Sequence, residues 1–331
     1  MLLACVDEDS KDKLCILAVR DHPYNDNVWL AEVHAKVRTI INSFRPHAKG
    51  WTDYGSGTGA QPKIALVGYK KDASSFYLDL FKQWEFEDTG SFSKGVSATD
   101  IRKSYFLEDI LEEFKEADTE ESDRKINVQH KVYADVIKHC CKYNWRDYVP
   151  EPVIKYLNEF KKTELFSNLQ KDFKYVVNYK AKWEHTPFPV TFTTVDALIV
   201  KSGHVLVIRR KNNPGKDLIA LPGGFIAQHE RIADAAIREL YEETELGMHP
   251  DELKKHLKES YVFDHPDRSQ RGRVITHAYY FELPNKGELP EVRGGDDAKE
   301  AFWMPLGDLG FMEDQIFEDH LSIIQFFTTR R

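Results

Sequence analysis

Apolar positions along the chain follow two rhythms, and the rhythm changes near its middle. Residues 14–20, Leu-Cys-Ile-Leu-Ala-Val-Arg, form a short unbroken apolar run that predicts a buried strand. Trp29, Val33, Val37, Ile40, Ile41 and Phe44 then recur at helical spacing. Residues 45–62 are rich in Gly, Pro and Ser and predict a loop, before a second strand at 64–67 and a short helix at 74–81. Strand, helix, strand and helix in that order suggest a parallel α/β layer. Charge dominates residues 107–125, read as a solvated helix and loop. Helices are expected at 128–143, 152–160 and 166–183, the last with Phe173, Tyr175, Val176, Tyr179 and Trp183 as packing residues.

The Pro187-Phe188-Pro189 stretch breaks regular structure and marks the best domain boundary, giving domains at 1–186 and 187–331. Beyond it, 192–200 and 205–209 predict paired strands about the Lys201-Ser-Gly-His204 turn. Residues 218–221 lead into the pattern described next, 276–281 and 301–304 predict further strands, and 317–327 a closing helix.

Between these strands lies a dense chemical pattern: Gly223-Gly224, Glu230, then Arg238-Glu239-Leu240-Tyr241-Glu242-Glu243-Thr244-Glu245-Leu246. No Gly or Pro interrupts 230–246, so the stretch reads as a helix. The glycines before it suit a tight loop needing backbone angles closed to other residues. Positions three and four apart share a helix face, so Glu239, Glu242 and Glu243 project together beside a buried stripe of Ala233, Ile237, Leu240 and Thr244. Like charges at that spacing repel, and Arg238 is the only nearby cation. A divalent cation would neutralise the group, and Mg2+ or Mn2+ prefers such hard oxygen ligands.

The pattern resembles the signature box of the Nudix hydrolases, which cut diphosphates linked to a nucleoside. The resemblance implies an α/β/α sandwich with metal ligands at Glu239, Glu242, Glu243 and the carbonyl of Gly224. Glu243 is then a candidate base, and Asp296 and Asp297 are its rivals. Glu230 and Arg238 orient loop and helix. Arg210, Arg268, Arg271 and Arg273 are candidate phosphate or ribose contacts. The chain departs from the box at Glu245, where a Gly is usual, and a differently capped helix end is expected there.

The N-terminal half carries a second resemblance. Ser97-Ala98-Thr99-Asp100-Ile101-Arg102 is similar to a phosphate-holding motif of nucleotidyltransferases. Asp26 to Ala31, Val67 to Tyr77, Gln83 to Phe86, Phe263 to Ser269 and Arg271 to Arg273 resemble the bifunctional nicotinamide-mononucleotide adenylyltransferase/Nudix hydrolase family. That family opens with a G-x-F-x-P-x-H-x-G-H segment, and no H-x-G-H occurs in this sequence. The expectation is therefore an incomplete Rossmann-like nucleotidyltransferase domain, through truncation or loss. It would transfer adenylyl groups poorly and keep Lys71, Thr99 and Arg102 as remnants of nucleotide binding. The resemblance implies hydrolysis of ADP-ribose to AMP and ribose 5-phosphate. A bifunctional NAD-forming enzyme and a non-catalytic nucleotide sensor are the alternatives.

Composition narrows the partners. A net charge of -8 argues against a broad nucleic-acid or membrane surface and leaves room for a small phosphorylated ligand held by local Arg and Lys. Cys5, Cys15, Cys140 and Cys141 form no C-x-x-C pair, so neither a zinc site nor a disulfide framework is expected. No apolar stretch approaches the ~20 residues of a membrane helix, and a cytoplasmic enzyme is the expectation; the sequence leaves the oligomeric state open, a homodimer being one option because sheet-edge dimers are common among the relatives it resembles.

Overall fold

The computed structural model describes residues 5–6, 11, 13–44, 63–90, 96–117 and 143–329. The predicted loop at 45–62, nearly all of the helix at 128–143, the acidic residues beyond 117, and Cys140 and Cys141 lie outside the described residues. Described residues up to Lys161 form one compact unit and those from Lys162 another. The Pro187–Pro189 stretch, predicted to be the boundary, therefore falls inside the second unit.

In the first unit, α1 spans Asp26–Phe44, and strands β1 (Ala65–Gly68) and β2 (Glu85–Asp88) pair in parallel around a 3-10 segment at Ala73–Leu80. The parallel order is the one the element sequence implied. Helix α2 (Ala98–Ala117) starts at a reciprocal cap: Ser97 Oγ accepts from Asp100 N–H while Asp100 accepts from Ser97 N–H and Oγ. A 3-10 turn at Trp145–Tyr148 precedes α3 (Glu151–Phe160). Glu108 gathers Trp145 Nε1, Arg146 and Lys161, which together hold its carboxyl down at about 2 against the opposing effect of burial.

The strand predicted at 14–20 does not form. Those residues join no ladder, and Leu14, Ile16, Leu17 and Val19 are exposed. Apolar content signals burial, but a strand also requires a pairing edge, and β1 and β2 pair only with each other among the described residues.

The second unit begins with α4 (Glu164–Ala181), capped by Thr163 Oγ1 on Phe166 N–H. A seven-stranded sheet follows, with core order β5-β4-β3-β8-β7. Its strands are β3 (Thr191–Lys201), β4 (His204–Arg210), β5 (Ile219–Ala220), β6 (Gly223–Phe225), β7 (Leu257–Phe263), β8 (Arg273–Glu282) and β9 (Ala298–Pro305). β3 runs parallel to β8 over ten residue pairs, and β6 lies antiparallel on β3 with Asp196 opposite Gly223. Helix α5 (Ile232–Thr244) packs on β3 and β6, and the short α6 (Pro250–Lys254) and final α7 (His320–Thr328) complete the layers. The core centres on Ala197, Ile199, Leu206, Leu240, Leu253 and Phe281, all nearly inaccessible. Strands β2, β6 and β7 carry no strong alternation and were not predicted. Phe263 is core, meeting Phe326 and Phe327 edge to face.

Two details of α5 differ from expectation. Ala233 is exposed, and the buried row is Ala236, Leu240 and Thr244 with Ala235 beside it. The helix also ends where a Gly would have ended it, because Glu245 itself adopts left-handed angles (φ 42°, ψ 42°) as the C-cap. Arg293 pairs with that carboxylate, donating through Nε at 2.8 Å and through Nη2.

Candidate active site

The site is assembled where α5 passes over β6. Gly223 and Gly224 are required by space rather than by backbone angles: neither has a positive φ. A β-carbon on Gly223 would collide with the Val195 carbonyl, and one on Gly224 would lie 2.6 Å from Glu239 Cδ. The helix therefore presses Glu239 directly against bare backbone. Glu243, one turn further, accepts a 2.9 Å hydrogen bond from Gly223 N–H and is 4% exposed.

The three glutamates share a helix face but not an environment. Burial raises the pKa of Glu239 against the hydrogen bond from Arg238. Burial also pushes Glu243 up to about 8; the Gly223 N–H opposes the rise, while the Glu239 charge adds to it. Glu242 is exposed. Arg238 binds Glu230 with both Nε (2.8 Å) and Nη2 (2.9 Å), and its Nη1 bridges Glu239 (2.9 Å) and Glu242 (2.8 Å). Its Nη2 also donates to the Phe225 carbonyl, so one guanidinium ties helix, loop and strand together. Glu230 accepts from Ala227 N–H as well, which closes the loop between β6 and α5. With Arg238 lying across the carboxylates, no group of three or more His, Cys, Asp or Glu is gathered into a metal-holding cluster among the described residues.

The loop before β9 closes the far end of α5. Arg293 N–H and Gly295 N–H donate to the Thr244 and Glu243 carbonyls, and a β-carbon on Gly295 would strike the Glu242 carbonyl. This places Asp296 and Asp297 close enough for their charges to raise the pKa of Glu239 and Glu243 respectively, although burial remains the larger cause for both. Asp297 accepts from Asn212 Nδ2 at 2.8 Å.

The four arginines picked out by sequence have different surroundings. Arg210 donates to the Pro214 carbonyl and lies 4.1 Å over the Phe317 ring; burial first, then the neighbouring Arg271, lowers its pKa. Arg271 stands 5.5 Å over Phe225, 3.7 Å from Glu318, and donates through Nε to Ser269 Oγ. Arg268 is buried and paired fork to fork with Asp319, at 2.9 Å on both arms. Arg273 donates to the Asp264 carbonyl and is partly exposed. The geometry thus brings Arg210 close enough to act on the Glu243 charge and sets Arg271 beside Arg210, while Arg268 is bound into the framework.

Several buried polar residues were not singled out from sequence. Asp196 accepts from Thr276 Oγ1 at 2.6 Å, lies 3.9 Å from Arg268 and from His320, and sits against Gly223. His320 accepts from Leu221 N–H through Nδ1, and burial depresses its pKa to about 3. Glu318, held by Ser269 Oγ at 2.7 Å, has a left-handed φ of 44°. Asp196 was the one with a visible signal, a carboxylate amid the apolar run of β3.

In the first unit, Arg102 reaches Thr99 Oγ1 at 3.5 Å on the exposed first turn of α2. Lys71 N–H donates to Ser75 Oγ, and its charge contributes to lowering the Asp100 pKa, behind the Ser97 hydrogen bonds.

A family model described as the NUDIX domain matches residues 190–327. An ADP-ribose pyrophosphatase of Methanocaldococcus jannaschii is 40% identical over 130 residues, covering 38% of this chain and 71% of that protein. The crystal structure of a bifunctional NMN adenylyltransferase/ADP ribose pyrophosphatase from Francisella tularensis superposes with a TM-score of 0.72 at 31% identity, over 99% of this chain and 81% of that one. A second structure of the Francisella tularensis bifunctional enzyme, complexed with AMP and a Mn ion, gives 0.71 at 31% identity over 96% and 79%.

Proposed function

This chain belongs to the Nudix hydrolases, joined to a nucleotidyltransferase-like N-terminal fold, and on that premise we propose that it cleaves the diphosphate of ADP-ribose to AMP and ribose 5-phosphate. The observation that carries the reading is the pairing of bare glycine backbone with carboxylates: Glu239 against Gly224 and buried Glu243 on Gly223 N–H.

The residues present fit a divalent cation. Among the described residues Glu243 accepts a single hydrogen bond and has no cation within ion-pair distance; burial keeps it protonated up to about 8, and a bound cation would be the counter-charge that lets it ionise below that. Glu239, Glu242, Glu243 and the Gly224 carbonyl are hard oxygens suited to Mg2+ or Mn2+, and would hold the ion once Glu239 and Glu242 turn from Arg238 toward it. Such an ion supplies charge neutralisation of the diphosphate and a water of lowered pKa.

The chain's own groups do the rest. Arg238, fixed by Glu230, holds Glu239 and Glu242 in register and aligns the β6 loop. Arg210, whose charge acts on Glu243, and Arg271, its neighbour, are our candidates to receive phosphate oxygens. Arg268, paired with Asp319, positions the loop that carries Arg271, and Arg273 secures the same loop through Asp264. Glu243 takes the proton of the attacking water, with Asp297 next to it as the rival base. Lys71, Thr99 and Arg102 are proposed as nucleotide-binding residues of the N-terminal fold, and residues 187–331 as the catalytic domain.

Incubation with ADP-ribose and Mg2+ should release AMP and ribose 5-phosphate, and Glu243→Gln should abolish the release while leaving the fold intact. Full activity in that variant would refute the assignment. Turnover of ATP and nicotinamide mononucleotide to NAD, run in parallel, tests the adenylyl-transfer alternative.

A further inference from the structure

Three arginines converge on one turn, and three successive residues of that turn each meet one of them. The turn runs from Phe317 to His320 and is closed by His320 N–H on the Phe317 carbonyl at 3.2 Å. Arg210 lies 4.1 Å over the Phe317 ring, Arg271 Nη2 stands 3.7 Å from Glu318 Oε2, and Arg268 is forked onto Asp319. The Asp319 pair already ties the loop that carries Arg271 to the turn, and Phe317 N–H anchors the turn on the Ile219 carbonyl at 2.8 Å. Glu318 is therefore not needed as an anchor.

Glu318 reaches Arg271 by a relay. Ser269 Oγ donates to Glu318 Oε1 at 2.7 Å and accepts from Arg271 Nε at 3.2 Å. With its one proton committed to the carboxylate, the hydroxyl is held as an acceptor toward Arg271. The guanidinium is thus fixed at Nε through Ser269, while its Nη2 faces the second carboxylate oxygen, so two points set its plane. At 3.7 Å the Nη2 contact is longer than a hydrogen bond, and among the described residues no hydrogen bond engages either Nη group. Those donors are aimed but still open to an oxyanion.

The placement is costly. Glu318 takes a left-handed φ of 44°, which glycine adopts freely and other residues adopt at a cost. Its side chain is buried, and burial raises its pKa against the opposing effects of Arg271 and Ser269. Strained backbone and a buried acid at one residue, in a turn secured by its neighbours, mark a position kept for function. Arg271 also lowers the pKa of Arg210, whereas Glu318 raises it, so the same carboxylate relieves the repulsion between two arginines that a phosphate would share.

We propose that Glu318 is a positioning residue which, through Ser269, aims the Arg271 guanidinium at a phosphate of the substrate. The assignment rests on the diphosphatase reading and adds to it the residue that sets the angle of one phosphate arginine.

Charge and aim predict opposite signs. A carboxylate beside a phosphate site repels the ligand, so if charge alone mattered Glu318→Gln would bind an anion more tightly. Aiming predicts weaker binding, because one of the two acceptor oxygens becomes an N–H donor. The probe is inorganic pyrophosphate with Mg2+, followed by calorimetry. In Glu318→Gln its Kd should rise roughly fivefold and kcat/KM for ADP-ribose should fall roughly tenfold, the scale of a small misplacement of a binding group. In an Arg271→Ala background Glu318→Gln should change neither value. The urea midpoint of Glu318→Gln should equal or exceed that of wild type, which separates aim from folding. Ser269→Ala breaks the relay at its middle and should reproduce both losses, so the test survives misfolding of the first variant. Tighter pyrophosphate binding in Glu318→Gln, or the same fold loss in the Arg271→Ala background, overturns the assignment. Failure of wild type to hydrolyse ADP-ribose overturns the diphosphatase premise instead, and the pyrophosphate titrations then decide the role of Glu318 alone.

Discussion

Titrating Glu243 gives the sharpest test of how this site is built. In an unfolded chain its carboxyl loses its proton near 4.5, whereas burial and the Glu239 charge hold it to about 8 in the folded protein. Between those two values the native state keeps a proton that the unfolded state has released. Stability then falls as pH rises: the contribution is complete below 4.5 and gone above about 8. At about 1.4 kcal/mol per pH unit the shift sets an upper bound near 5 kcal/mol, and water penetration should reduce that to ~2–3 kcal/mol. A bound divalent cation reverses the preference by favouring the carboxylate, so metal uptake near neutral pH should release close to one proton from this residue. The assay is a series of urea melts between pH 5 and 8.5, in EDTA and in saturating Mg2+. The metal-free protein should lose stability across that window, Mg2+ should recover it, and Glu243→Gln should flatten the slope. Calorimetry in buffers of different ionisation heat should count the proton. A flat metal-free profile, or the same slope in Glu243→Gln, would refute the reasoning.

Three further outcomes follow from the geometry. Glu245→Gly should stabilise the protein by up to ~1 kcal/mol in urea melts: relief of a left-handed non-glycine residue, ~1–2 kcal/mol, outweighs an exposed ion pair with Arg293 worth ~0.2–1 kcal/mol. Gly224→Ala should lower kcat/KM roughly a hundredfold in a folded protein, because the added carbon, 2.6 Å from Glu239 Cδ, displaces that carboxylate. Asp319→Ala removes both close hydrogen bonds from Arg268, whose side chain is 2% exposed, leaving it the more distant Asp196 at 3.9 Å, and should cost ~3 kcal/mol in chemical denaturation; a loss under 1 kcal/mol would show that the pair does not hold the loop.

What the sequence revealed and what it hid divide along a physical line. The carboxylate face of α5 was legible because helical spacing is local: Glu239, Glu242 and Glu243 share a face whatever surrounds them. Their unequal burial was not legible, since it depends on β6 lying antiparallel on β3 and bringing Gly223 to Glu243. The glycines were recognised for the wrong reason. Local reasoning offered backbone freedom, while the fold demands an absent β-carbon. Residues 14–20 failed as a strand because apolar content is local and pairing is not. The same limit concealed Arg268, which any loop reading would leave in solvent. Its partner Asp319 is fifty-one residues away and meets it only through the fold. Asp196, Arg268, Asp319 and His320 together form a buried polar support beneath Gly223, with Leu221 N–H fixed by His320 Nδ1 on one side and the Asp196 carboxylate against Gly223 on the other. Such a support is costly to bury and contributes little net stability. Its placement under the one loop whose backbone must meet two carboxylates argues that it is kept for the position of Gly223 and Gly224, so the electrostatics of the site begin one layer below the residues that the sequence displays.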